Sequence, residues 1–196
     1  MPDTTIHQHY VWRYYLWQWA NNDQIYCLRN NKVFPVNIMK IAQEGLFYQF
    51  YECTDEEFAI AYHYSDPGSK PLLDQLYKMN YELKVAKQED LELYKSLLEF
   101  NKDFDEVHFN CGYEEFLKFG LENLYNKDFS FLDCEDYKMK FCYSIAEQYC
   151  RTSKVKTGLI QSFEPIKSDT INPYNLWFLS RHVMAIKIGM YLTYNN

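Results

Sequence analysis

Arginine is scarce in this chain. Only Arg13, Arg29, Arg151 and Arg181 occur among 20 basic residues, and 27 acidic residues leave a net charge of −7. Binding along a phosphate backbone draws on concentrated Lys and Arg, so the charge disfavours a whole-surface nucleic-acid binder and leaves room only for a local basic pocket. No run of apolar residues reaches the roughly 18 that cross a bilayer. The best candidate, residues 174–194, is interrupted by Arg181, His182 and Lys187 and fits a core-facing helix better than a membrane span. The opening MPDTTIHQHYVW lacks the basic segment and apolar run of a secretory signal, so a cytoplasmic setting with reduced thiols is expected.

Several chemical signatures are missing as well. The six cysteines include no CxxC pair, which removes support for a zinc ribbon. Cys134, Cys142 and Cys150 recur every eight residues, and on a helix each is rotated by roughly 80° from the last. That spacing spreads them around the axis, so buried structural thiols are expected and neither a metal nor a cofactor is implied. There is no Gly-x-Gly, no Ser-His-Asp arrangement, no Arg separated from a following His by four to six residues, no internal repeat and no low-complexity segment.

What remains is a foldable, aromatic-rich chain. Its 196 residues are 47% hydrophobic and 19% aromatic, enough for one domain with a substantial core. The expected organisation is a single domain over 1–196, with an N-terminal aromatic segment and hairpin at 7–48 and a helical body at 69–194. The predicted fold class is mainly α, a helical domain with a small N-terminal β-hairpin. In QIYCLRNNKVFPV, β-prone Gln24 to Arg29 precedes Asn30-Asn31, which tolerate positive φ, and Val33 to Val36 return. Pro35 makes the second strand an edge or ends it early. The following NIMKIAQEGLFY fits a short helix closed by Gly45.

After the turn at SDPGSKP, where Ser69 suits a helix cap, Leu72, Leu76, Met79, Leu83 and Ala86 form a stripe of helical period. KQED at 87–90 breaks or exposes that helix before Leu91–Phe100 resumes the pattern. DFDEVHFNCG is expected to be a loop, and Tyr113–Tyr125 an amphipathic helix. In 135–151, Tyr137, Phe141, Ile145 and Gln148 or Tyr149 share a face, and Glu147 is spaced to pair with Arg151. Asn172-Pro173 opens the last helix, whose stripe is Leu176, Leu179, Val183, Ile186 and Met190.

Chemistry concentrates in HQHYVWRYYLWQW at 7–19. Here His9, Tyr10, Val11, Tyr15 and Leu16 match a His-His-Tyr-Val-Pro-x-Phe-Tyr-Leu-like motif, with Gln8 and Trp12 departing from it; Phe47 and Tyr48 match a later Phe-Tyr pair. Near the other end, Gln148, Arg151 and Thr152 match a Gln-x-x-Arg-Thr-like helix end. In these blocks the chain resembles a bacterial family known as domain of unknown function four-two-three-eight. The resemblance implies a shortened relative or one half of a split protein, because the family continues into a second half with a Thr-Ser-Asp-x-Pro-like motif. It supplies no activity, and it implies a bacterial defence-type system as the setting.

The resemblance also marks His9, Tyr10, Tyr15 and Arg151 as candidate catalytic residues expected to converge, with the matching Gln148 as a candidate binding residue; Arg13, in the same stretch, is a second candidate binding residue. His9 suits proton transfer near neutral pH, and Arg151 can grip a phosphate or carboxylate through two nitrogens. Set against this, a His in an aromatic segment is more often a hydrogen-bonded packing residue. Metal-dependent nucleic-acid cleavage through Glu82-x-Lys84 is an alternative that requires Glu82 on a sheet beside another carboxylate. A third possibility is assembly with itself or a protein partner through the C-terminal helix, in keeping with the wealth of Tyr and Trp. Trp12, Trp17 and Trp19 cannot all face inward on a strand or a helix, so at least one of them is expected near the surface or against another element.

Overall fold

The computed structural model describes residues 7–104 and 113–195. Its elements are β1 (His7–His9), α1 (Arg13–Trp17), β2 (Gln24–Arg29), β3 (Lys32–Asn37), β4 (Gln43–Gly45), α2 (Asp55–His63), α3 (Lys70–Glu89) and α4 (Leu91–Phe100). These are followed by α5 (Tyr113–Tyr125), α6 (Glu135–Cys150), α7 (Ser153–Phe163) and α8 (Pro173–Tyr194). The fold is mainly α with a small N-terminal hairpin. No helix among the described residues is long and apolar enough to cross a membrane.

The hairpin forms where its turn residues demand it. Asn30 and Asn31 have φ of 51° and 58°, the two left-handed positions of a turn whose twist matches paired strands. Gln24 to Arg29 then align with Asn37 to Lys32, and Pro35 lies opposite Tyr26. The segment after it is not the helix expected from its composition. Ile38–Lys40 make one 3-10 turn, Ala42 and Leu46 take positive φ, and Gln43–Gly45 become β4, which pairs antiparallel with β1. Left-handed residues cannot continue a helix, and a partner strand supplies the hydrogen bonds instead.

Helix α2 opens with a capping box. Thr54 Oγ1 accepts from Glu57 N–H, and the Glu57 carboxylate accepts from Thr54 N–H. The buried Glu57 also accepts from Asn172 N–H at 2.6 Å and from the Asn175 amide, tying the start of α2 to the start of α8. Ser69 stands at the start of α3 without capping it; its hydroxyl is engaged with Asp66. The buried face of α3 is Leu73, Leu76, Asn80, Leu83 and Ala86, with Leu72 and Met79 only partly covered. Asn80 belongs there because its amide bonds both the N–H and the C=O of Cys53, at 2.7 and 2.9 Å. Asp90 ends α3 and caps α4 by accepting from Glu92 and Leu93 N–H.

The main core gathers Phe47, Phe50, Phe58, Leu76, Phe104, Trp177, Phe178 and Leu179. Asn172 caps α8 and Pro173 takes its first position, as the sequence suggests. The stripe of α8 is directed inward: Leu176, Leu179 and Val183 are buried, and Met190 alone of its five members is exposed. Helix α6 lies between α5 and α8. Its covered face is therefore Phe141, Cys142, Ala146 and Cys150, while Tyr137 and Ile145 of the expected face are exposed. Cys142 and Cys150 are buried and free, but Cys134 is exposed at the helix start, so the three thiols do not share one environment. Most of the expected loop DFDEVHFNCG lies outside the described residues.

Two predictions concern packing. A Cβ at Gly120 would lie 2.1 Å from a Phe141 ring carbon, whereas one at Gly158 would meet nothing within 4 Å. Urea unfolding is expected to show Gly120→Ala destabilised by about 1–3 kcal/mol and Gly158→Ala stabilised by about 0.5–1 kcal/mol, since both are helical glycines and only one has room. Burial, then the charge of Glu147, pushes the Cys150 thiol up to about 12, and burial likewise holds the Cys53 thiol well above its ordinary value. Native thiol labelling at mildly alkaline pH should therefore leave both unmodified until denaturant is added.

Candidate functional site

The strand end, the Phe47-Tyr48 pair and the end of α6 meet at one phenol. Tyr48 is buried, its hydroxyl donates to the His9 carbonyl at 2.8 Å, and Arg151 Nε donates to that hydroxyl at 2.6 Å. The Arg151 guanidinium also lies 4.4 Å from the Tyr48 ring centre and 3.4 Å from Glu114 Oε1. Gln8 completes the joint. It accepts from Tyr48 N–H at 2.7 Å and donates to the Lys102 carbonyl at 2.8 Å, so its amide satisfies backbone groups of two separate segments. Gln8, which stands where the motif has its first His, is thus a buried structural amide.

Gln148 performs a similar task one helical turn earlier. Its amide donates to the Tyr10 carbonyl at 3.0 Å and accepts from Trp12 N–H at 3.1 Å, holding the chain that leaves β1. Tyr10 packs on Phe47, and Trp12 on the smaller core of Leu117, Phe131 and Phe141. His9 and Arg151 are therefore brought together, but through the backbone of His9. The imidazole is half-buried with Nδ1 enclosed by protein, and burial, followed by the charge of Arg13, holds it below its ordinary value. A base turned into the protein in this way is placed for packing. Tyr15 sits apart on exposed α1 with its ring near Trp19, and Arg13 is exposed with a guanidinium nitrogen 3.3 Å from Met39 Sδ.

Beneath Tyr48 lies a chain of buried polar groups that sequence reasoning missed. His182 has Nδ1 3.2 Å from Glu147 Oε1 and Nε2 2.9 Å from an Arg181 guanidinium nitrogen, with all three residues buried. Arginine only donates, so Nε2 accepts and the ring proton sits on Nδ1, facing the carboxylate. Glu147 thus turns to His182 and Arg151 to Tyr48, in place of the pairing that their spacing suggests. Lys156 is buried too: Nζ is 2.6 Å from Glu44 Oε1 and 4.3, 5.1 and 4.9 Å from the ring centres of Phe47, Tyr174 and Trp177. A cation against several rings is favourable and fastens α7 to β4. The legible signal for these groups is a charged residue set within an apolar face, as at Glu147 between Ala146 and Cys150.

Glu82 is exposed on α3, and Lys84 pairs with Asp55 at 3.2 Å, so the Glu-x-Lys nuclease reading lacks the strand it requires. No three His, Cys, Asp or Glu side chains gather to hold a metal among the described residues. Outward, the N-terminal unit is conspicuously apolar. Trp17 and Trp19 are 57% and 71% exposed, and on one face of the hairpin Tyr26, Leu28 and Val33 are 77%, 74% and 66% exposed. No residue of β2 or β3 is buried. Comparison with known protein families, with curated proteins and with solved structures gives no match.

Tyr48→Phe is expected to destabilise the fold by about 1–3 kcal/mol in urea unfolding, because it strands the buried Arg151 nitrogen and the His9 carbonyl together. A second expectation follows from His9. Its folded value lies below the unfolded one, so the fold favours neutral imidazole; the associated stability is complete above about pH 6.5 and declines as pH falls below it. Thermal midpoints across that range should decline less steeply for His9→Gln than for the wild type.

Proposed function

We propose that this chain is an assembly subunit, a helical body that presents its N-terminal aromatic hairpin to another protein chain. One observation carries the reading: the hairpin face formed by Tyr26, Leu28, Val33 and Pro35 is apolar and uncovered. Exposed apolar residues scattered singly are ordinary, but a contiguous apolar patch marks an interaction surface. A two-stranded hairpin with no buried residue is also marginal by itself in water and gains from a further strand or a packed partner. The polar residues at the Tyr48 joint serve this reading as anchors, because they are spent on backbone groups and on one another. The C-terminal helix offers less, since most of its stripe is inside. The setting implied by the family resemblance, a bacterial cytosolic component of a defence-type system, belongs to the same proposal and rests on the matched motifs.

The test is a photo-crosslinking residue at Val33, introduced in cells that naturally make the chain. A discrete protein adduct is expected, and Tyr26→Ser with Leu28→Ser should abolish it. Both positions are exposed, so the double variant should change stability by only about 0.5 kcal/mol per site. Absence of a discrete adduct, or an adduct indifferent to the double variant, would overturn the reading.

A further inference from the structure

The hairpin's two edges differ. Arg29 and Lys32 close the two-residue turn as a hydrogen-bonded pair, and alternation then makes Cys27↔Phe34 and Ile25↔Val36 hydrogen-bonded as well. The backbone groups of Gln24, Tyr26 and Leu28 therefore point outward on β2, and those of Val33, Pro35 and Asn37 point outward on β3. Pro35 has no N–H to offer, which blunts the β3 edge in the way natural sheets suppress pairing. On β2, Gln24 is already closed, its N–H and C=O bonded to Asn21 at 3.1 and 2.8 Å. Tyr26 and Leu28 remain, with neither a proline nor a charged residue between them.

We infer that this open edge pairs with the same edge of a second copy of the chain, antiparallel about a two-fold axis at Cys27. The inference rests on the assembly reading above and names its partner. In this register Tyr26 of one copy faces Leu28 of the other and the reverse, so every open backbone donor and acceptor of the short edge finds a match. Centring on Tyr26 would set Leu28 against the closed Gln24, and centring on Leu28 would set Tyr26 against the turn residue Asn30. The charges agree with the chosen register. Arg29 stands opposite Ile25 of the copy, with Asp23 next along on the same face, and no like charges oppose each other. The product is a four-stranded sheet, β3-β2-β2-β3, with one continuous apolar face.

The two Cys27 residues fall at a non-hydrogen-bonded pair, with Cα atoms about 4.5 Å apart, inside the range of about 4.4–6.8 Å that a disulfide spans. Cys27 is free and half-buried. Mild oxidation with oxidised glutathione removes two electrons and two protons from the thiol pair, joins the two Sγ atoms and reduces the reagent to two glutathione thiols.

The full chain should run by light scattering at twice its 23.8 kDa and, after oxidation, yield a Cys27-Cys27 peptide by mass spectrometry. Leu28→Pro removes only an outward N–H, as Pro35 does on the other strand. It should weaken self-association by at least about tenfold and abolish the Cys27 linkage, with the hairpin and thermal midpoint retained. Cys27→Ser should abolish the linkage while leaving the dimer. A monomer at every concentration with no Cys27 linkage, or a dimer indifferent to Leu28→Pro, overturns the pairing. If the chain stays monomeric with no Cys27 linkage while the Val33 photo-adduct described above still forms with a different protein, the pairing fails and the assembly reading stands; a monomer that also gives no adduct removes both.

Discussion

The Tyr48 hydroxyl is the point on which the N-terminal unit depends. It takes a hydrogen bond from Arg151 and gives one to the His9 carbonyl, so the strand, the Phe47-Tyr48 segment and the end of α6 are fixed by one oxygen. With this bond in place, Gln8 and Gln148 can reach backbone partners that are distant in sequence, and Trp12 can settle on the smaller core. Net gains of individual hydrogen bonds are modest, but leaving a buried guanidinium nitrogen without its acceptor is costly. The joint is therefore held more by what its failure would strand than by what each bond adds.

The same logic extends inward. Glu147, His182 and Arg181 are buried in contact, and a buried ion network rarely adds stability over apolar groups of equal volume, whereas removing one member exposes the rest to an unbalanced field. What such a network supplies is registry. Glu147 is on α6 and Arg181 and His182 are on α8, helices that approach closely enough for a Cβ at Gly189 to stand 3.0 Å from Tyr143 Cα. A slide of one helix past the other would separate the charged groups before it cost much apolar contact. Lys156, enclosed by three rings and paired with Glu44, fixes α7 against β4 in a comparable way.

The amino-acid order made the hairpin legible down to its turn residues, because Asn-Asn between β-prone runs has few other uses. Helices α5 and α8 were equally legible, from period in one and from Asn-Pro in the other. Helix α2 carries a readable start, Thr54-x-x-Glu57, that apolar periodicity passes over in so short an element. The composition of 37–45 suggests a helix, but the strand that claims its end, β1, is some thirty-five residues upstream, and pairing at that distance leaves no local pattern. The buried face of α6 departs from its periodic stripe for a related reason: a helix covered by two neighbours buries an arc set by both, and its period alone does not say where they lie.

The candidate residues divide along the same line. The motif resemblance sets His9 and Arg151 side by side as candidates, and in the structure they are linked through a carbonyl and a phenol, which side-chain chemistry alone does not announce. Tyr15 shares the motif and none of the joint, since α1 turns it outward. That outward turn is informative in its own right. An aromatic needed for packing is covered by the fold, as Phe47, Phe50 and Trp177 are, whereas Trp17, Trp19, Tyr26 and Leu28 are uncovered in a chain that had apolar cores to put them in. The N-terminal unit thus has two sides with different duties. Its inner side spends amides, a phenol and a guanidinium on being held in place, and its outer side offers apolar surface and an open strand edge; the rigidity of the first is what gives the second a fixed geometry to present.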